Sequence, residues 1–148
     1  MLANFELDEK DLEILRHLQN NARLTNKELA RRVGLAPSST LMRTRQLERS
    51  RVLRGYHADV DPAALGVGLE ALIAVRLRQH TASEVAAFRD YVLDLDEVIR
   101  LYHVAGKDDF LVHVGVADSV ALRDFAMDAL TSRQEVAHIE TGLIFSCV

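Results

Sequence analysis

The sequence predicts an α+β chain in two parts, three helices followed by a single sheet with two covering helices. Three observations carry this. Residues 8–49 place apolar side chains at helical spacing between recognisable caps. From about residue 70 the apolar residues come in short alternating runs, interrupted by two helical stretches. The charge also changes sign along the chain: residues 1–60 hold eleven Lys/Arg against eight Asp/Glu, and residues 61–148 hold seven against fourteen, within 148 residues of net charge −4.

The first helix is expected to open at Asp8, whose side chain can cap it, with Asp11 in the positive first turn. Leu12, Leu15 and Leu18 follow at helical spacing, with Ile14 widening the stripe, and Asn20-Asn21 ends it. Thr25-Asn-Lys-Glu28 reads as a capping box, in which Thr25 and Glu28 each satisfy a free backbone donor. The helix it opens carries Leu29, Ala30 and Val33. Gly34 supplies a left-handed turn, and Pro37 suits the first position of a third helix running to Arg49. Two helices joined by so short a turn have helix-turn-helix spacing. Val52–Ala58 is expected to form a short strand or hairpin, a wing.

The DNA-binding domain is thus expected over 1–58, a linker over 59–69, and a second domain over 70–148. Strands are expected at Ala71–Leu77, Val98–Val104, Phe110–Val116 and Val136–Phe145, and helices at Ser83–Leu93 and Ser119–Leu130. That order, βαββαβ, is the ferredoxin-like split unit. Ile73, Val75 and Leu77 share one face of the first strand, and Leu72 and Ala74 the other. On the second strand Val98, Tyr102 and Val104 oppose Ile99 and Leu101. Both faces are apolar, yet both crossovers place their helices on one side. The uncovered face is therefore expected to meet a second copy in a homodimer.

Composition narrows the function. No run of about 18 apolar residues is present, so no membrane span is expected. The opening residues lack a basic stretch followed by an apolar one, so no secretory signal is expected. The single cysteine, Cys147, has no partner for a disulfide or a metal site. Together these predict a cytoplasmic protein without a cofactor. Residues 23–54 hold nine basic side chains opposed only by Glu28 and Glu48. Such a block on an acidic chain is the footprint of a polyanion-binding module, although solvated helix faces produce similar blocks.

The chain resembles the Lrp/AsnC (feast/famine) family of transcription regulators over essentially its whole length. The first matching residues are Leu7-Asp8, Asp11, Ile14-Leu15, Asn21-Ala-Arg23, Glu28-Leu-Ala30 and Val33-Gly34-Leu35. Pro37, Arg43, Arg45, Leu47-Glu48, Gly55-Tyr56, Ala58 and Val60-Asp61-Pro62 follow. The C-terminal match is Val104-Ala-Gly106 and Asp109-Phe-Leu111. The resemblance implies a winged helix-turn-helix, a ferredoxin-like effector domain, dimers that assemble to tetramers or octamers, and an amino acid or related metabolite as effector. Some residues depart from the family pattern. Ala36 replaces a capping Ser, a loss of about 1 kcal/mol. Thr40 and Thr44 replace apolar residues, Arg51 a Gly, Asp108 an aromatic residue, and Ile139 a Thr.

On this reading the partner is double-stranded DNA. Thr40, Thr44 and Leu47 face inward on the third helix. Ser38, Ser39, Met42, Arg43, Arg45, Gln46 and Arg49 face outward. Ser38, Ser39 and Met42 are placed for base edges, and Arg43 or Gln46 can pair with guanine or adenine. Arg45, Arg49, Arg51 and Arg54 suit phosphates. The alternative for each arginine is a surface charge or a salt bridge, to Glu48 or to a carboxylate of the first helix. The resemblance places the effector at His103, Val104, Ala105, Gly106, Asp108, Asp109 and Thr141. For Asp109 the alternative is to structure its own loop. A metal or catalytic cluster of His103, Asp108, Asp109 and His113 lacks zinc spacing and a nucleophile–base motif, so no enzyme is expected. A metabolite sensor acting through protein contacts is the other alternative.

Overall fold

The computed structural model describes residues 6–145, and Cys147 lies outside them. The chain divides into two compact units that meet at Asp59 and Val60.

In the first unit α1 (Glu9–Asn20), α2 (Asn26–Val33) and α3 (Pro37–Arg49) pack around Ile14, Leu18, Leu29, Val33 and Leu47. Asp8 caps α1 in a reciprocal box with Asp11, and Thr25 does the same for α2 with Glu28. The stripe of α1 that turns inward is Asp11, Ile14 and Leu18; Leu12, expected inward, is exposed. Gly34 ends α2 with φ 67°, a left-handed position that costs glycine little. The first turn of α3 has no side-chain cap at Ala36. Thr40 is fully buried, and its hydroxyl donates to the Ala36 carbonyl at 3.1 Å, while that of Thr44 donates to Thr40 at 3.0 Å. These back-bonds satisfy polar groups on a buried stripe. Lys10 reaches across to donate to the Val33 carbonyl at the end of α2.

The expected wing is not formed as a strand: residues 52–58 are irregular. A strand needs a partner, and no segment among the described residues pairs with them. Tyr56 instead ties the segment back to α3 through a 2.9 Å hydrogen bond to Glu48. Of the expected linker, Pro62–Leu65 forms a 3₁₀ turn capped by Asp61, and Gly68 donates to the Val116 carbonyl, so this stretch belongs to the second unit.

The second unit is an antiparallel sheet of β1 (Leu69–Leu77), β2 (Val98–His103), β3 (Phe110–Val116) and β4 (Val136–Ile144) in the order β2-β3-β1-β4. Helices α4 (Ala82–Leu93) and α5 (Ser119–Phe125) cover one face. Alternation in β1 and β3 is strict, with Ala71, Ile73, Val75, Leu77, Phe110, Val112 and Val114 buried beneath Phe88, Val92, Leu122 and Phe125. A π-helical turn, Ala126–Thr131, continues α5 and rotates Leu130 into the core. Tyr91 of α4 donates to the Ala129 carbonyl in that turn and carries Arg133 3.9 Å above its ring.

The face assignment of β2 is corrected by a bulge. Its register shifts between Val98 and Arg100, leaving Ile99 as the extra residue. Val98 and Leu101 therefore both lean on the core, whereas Arg100 and Tyr102 pair with His113 and Leu111 on the uncovered face. That face also carries Leu72 and Ala74, both half-buried in the lone chain, and Glu70 paired with His113 Nε2 at 2.7 Å.

Candidate nucleic-acid interface and effector loop

Helix α3 presents Ser38, Met42, Arg45, Gln46 and Arg49 to solvent, with Ser39 half-buried; Arg51 and Arg54 are exposed beyond its end. Among the described residues, none of Arg23, Lys27, Arg31, Arg32, Arg45, Arg49, Arg51 and Arg54 has a carboxylate within 4 Å. Eight of the nine basic groups in this block are thus available to a polyanion.

The ninth is Arg43, and its expected outward placement is corrected. It is half-buried and turned toward α1. Its Nη1 donates to Asp8 Oδ2 at 2.7 Å and to Asp11 Oδ1 at 2.9 Å. The signal was present in the spacing: Arg43 lies three residues after buried Thr40 and four before buried Leu47, on the inward stripe. The hydrogen bond from the Asp11 backbone N–H, and then that from Arg43, hold Asp8 below the usual carboxylate range, and the two carboxylates raise Arg43 further.

At the end of α3 the chain turns through Arg51, which holds φ 57°. The Tyr56 hydroxyl, which donates to Glu48, has its pKa pushed up to about 12, first by desolvation and then by the carboxylate.

The loop from β2 to β3 sends its side chains in two directions. His103 stacks on Phe110 with ring centroids 4.9 Å apart. With Asp109 it lines a recess of about 480 Å³ beside α4, together with His80, Val85 and Arg89. Asp109 accepts from Leu77 N–H and meets His80 Nδ1. Val104 donates its N–H to the Asp109 carbonyl and closes the loop; Ala105 and Gly106 are exposed, the latter with φ 134° and open space where a side chain would start. Lys107 reaches the opposite way to Glu140 on β4 at 3.1 Å. Asp108 Oδ1 lies 3.8 Å from Arg76 Nε, and both atoms are buried without a hydrogen-bond partner. Thr141, expected at this site, pairs with Ile73 and so sits on the helix-covered side of β4, an alternation away from Glu140. His113 is on the uncovered face with Glu70, so the four residues weighed as a metal or catalytic cluster are dispersed. Among the described residues no group of three His, Cys, Asp or Glu is arranged to hold a metal.

Comparison with known proteins decides the family. Residues 7–48 match the AsnC-type helix-turn-helix domain, and residues 70–148 match the Lrp/AsnC ligand binding domain. The chain belongs to the Lrp/AsnC family. It is 39% identical to the HTH-type transcriptional regulator AldR of Mycolicibacterium smegmatis, covering 95% of this chain and 82% of that protein. It is 36% identical to the leucine-responsive regulatory protein of Rhizobium meliloti, over 97% and 92%. A transcriptional regulator of Neisseria meningitidis, solved as a complex with L-methionine, superposes with a TM-score of 0.88 at 34% identity, covering 95% of this chain and 91% of the other. As an Lrp/AsnC protein the chain is a DNA-binding transcription regulator of an oligomerising family. No helix among the described residues is long and apolar enough to cross a membrane.

Proposed function

We propose that this regulator acts in the cytoplasm as a dimer or a higher assembly of dimers. Each pair of α3 helices reads two half-sites of a pseudo-palindrome about one helical turn, or a multiple, apart. Ser38, Ser39, Met42 and Gln46 meet base edges. Arg45, Arg49, Arg51 and Arg54 meet phosphates, which fix register. The observation that carries this reading is the set of exposed, unpaired cations flanking an exposed α3 surface.

The effector is an α-amino acid or a close relative, held at the Gly106–Asp109 loop. Gly106 leaves the backbone open to a carboxylate. A zwitterion offers an acceptor to Arg76 and a donor to Asp108, the two groups the loop leaves unsatisfied. Its binding shifts the assembly of the effector domains, so DNA and effector affinities change each other by the same factor.

The test begins with selection of bound duplexes from a randomised pool. Anisotropy titrations then compare a selected duplex with its scrambled version over a salt series, with and without each amino acid. Preference for the selected duplex, with affinity falling steeply as salt rises, supports the DNA reading. Equal binding to both duplexes overturns it. An effector that binds with the same affinity in the presence and absence of DNA overturns the coupling.

A further inference from the structure

We infer that Arg43 is a positioning residue that sets the rotation of α3 on α1 and makes no contact with DNA. The inference rests on DNA reading by α3, which the wild-type titration above tests by itself.

Each of the two carboxylates at the start of α1 divides its oxygens. Asp8 Oδ1 accepts the Asp11 N–H at 2.9 Å, and Asp11 Oδ2 accepts the Asp8 N–H at 3.2 Å, which closes the cap. The remaining oxygens, Asp8 Oδ2 and Asp11 Oδ1, both take a proton donor from one nitrogen of Arg43. Nothing else in the described residues satisfies them. Asp11 is only 4% exposed, so its charge is out of water and needs a fixed cation. Arg43 cannot swing to a phosphate without leaving a buried carboxylate unpaired, a step that opposes binding.

The position of Arg43 on the helix explains what the pair does. Thr40 and Leu47 fix the inward stripe of α3 by packing alone, and a threonine–leucine stripe resists rotation weakly. A guanidinium held at two points by the rigid first turn of α1 resists it directly. The residues one step round the helix, Met42 and Gln46, are those that face outward. Rotation of α3 would therefore move the base-reading side chains, not only the core. The contrast with the other eight basic residues of the block, none held by a carboxylate, separates the anchor from the groups left for DNA.

The experiment measures the salt dependence and sequence preference of DNA binding for the full-length protein, using a duplex selected from the randomised pool and its scrambled version. The variants are Arg43→Gln, Arg43→Lys and Asp11→Asn. A phosphate contact predicts that Arg43→Gln lowers the slope of log affinity against log salt by about one and that Arg43→Lys keeps most of the affinity. It also predicts that Asp11→Asn, which frees the guanidinium, leaves binding unchanged or tighter. The anchor predicts the reverse. The slope stays at the wild-type value in all three variants, and preference for the selected duplex falls in all three, because the lysine side chain, one bond shorter than arginine to its terminal nitrogen, stops short of the point where Nη1 meets both oxygens. The double variant Arg43→Gln/Asp11→Asn is then no worse than the weaker single one. If Arg43→Gln does not fold, Arg43→Lys and Asp11→Asn still decide. A lowered slope, a wild-type-like Arg43→Lys, or an Asp11→Asn protein that discriminates as well as wild type each overturns the inference.

Discussion

The carboxylate of Asp109 accepts the backbone N–H of Leu77 at 2.8 Å. Strand β3 pairs with β1 only as far as Val75 and Phe110, so Leu77 has no strand neighbour on that side. Asp109 replaces it: its own N–H donates to the Val75 carbonyl, its Oδ2 takes the Leu77 N–H, and its Oδ1 meets His80 at 2.8 Å. The side chain at the heart of the β2–β3 loop is thus committed to holding the end of the sheet. Asp109→Ala is expected to destabilise the second unit by about 1–3 kcal/mol, since it leaves a half-buried donor without an acceptor. Asp109→Asn keeps an acceptor oxygen and should lose less. Urea unfolding of the three proteins, followed by amide exchange at Leu77, tests this. An Asp109→Ala protein as stable as wild type would return Asp109 to the ligand.

Arg51 is the one non-glycine residue among those described with a positive φ. A left-handed backbone costs an L-residue about 1–2 kcal/mol, and glycine's extra freedom in the unfolded chain returns about 0.5–1 kcal/mol of that. Arg51→Gly should therefore stabilise the first unit by about 0.5–1 kcal/mol and raise its Tm. The same change removes an exposed cation beside α3. DNA affinity should fall evenly across sequences, with the salt slope lower by about one. A more stable protein that binds less tightly is the expected combination. A lower Tm would mean that the turn depends on the arginine side chain.

Much of this was legible from residue types and spacing. Asp8, Thr25, Gly34 and Pro37 fix the bounds of α1 to α3 through local chemistry that needs no tertiary context. The alternation in Phe110–Val116 fixes β3 for the same reason. What was not legible depends on a partner. The parity of β2 changes at Ile99 because of its register against β3, which no single strand encodes. Residues 52–58 have strand-like composition but no pairing strand among the described residues. The resemblance groups Thr141 with the loop, and only the register of β4 shows it on the face opposite Glu140 and Arg76. Arg43 is the intermediate case. Its spacing marked it as inward, but the counter-charges lie thirty residues back, at the start of another helix.

Tyr56 offers a pH test. Its folded pKa of about 12 lies above the ordinary value of 10, so folding favours the neutral phenol. The stability it contributes is fully present below pH 10 and is lost as pH rises from 10 through about 12. Its phenolate absorbance should therefore appear late, above pH 10, as base is added. Tyr56→Phe should remove that late component, and Glu48→Gln should move it to lower pH, since a neutral acceptor no longer disfavours the phenolate. A late component that survives in Tyr56→Phe would break the assignment. Loss of the hydrogen bond should also loosen residues 52–58, seen as faster amide exchange there.

The uncovered sheet face makes the assembly testable with two leucines on opposite sides of the sheet. Leu77 is 2% exposed and packs in the helix-covered core. An aspartate there buries an unpaired charge and should unfold the second unit outright. Leu111 points to the uncovered face, opposite Tyr102 on β2 and Ala74 on β1. In the lone chain an aspartate at Leu111 meets solvent, so the fold should persist with native circular dichroism. If two copies pack through this face, the same aspartate is forced into an apolar interface beside the Glu70–His113 pair. The mass by light scattering should drop, and DNA binding should weaken because two half-sites are no longer held together. Arg100 faces His113 across the strands, so Leu111→Asp should be read at more than one salt concentration to keep long-range charge effects apart from packing. A Leu111→Asp protein of native fold and unchanged mass would place the dimer contact on another surface, leaving the β4 edge and the exposed flank of α5 as the next to mutate.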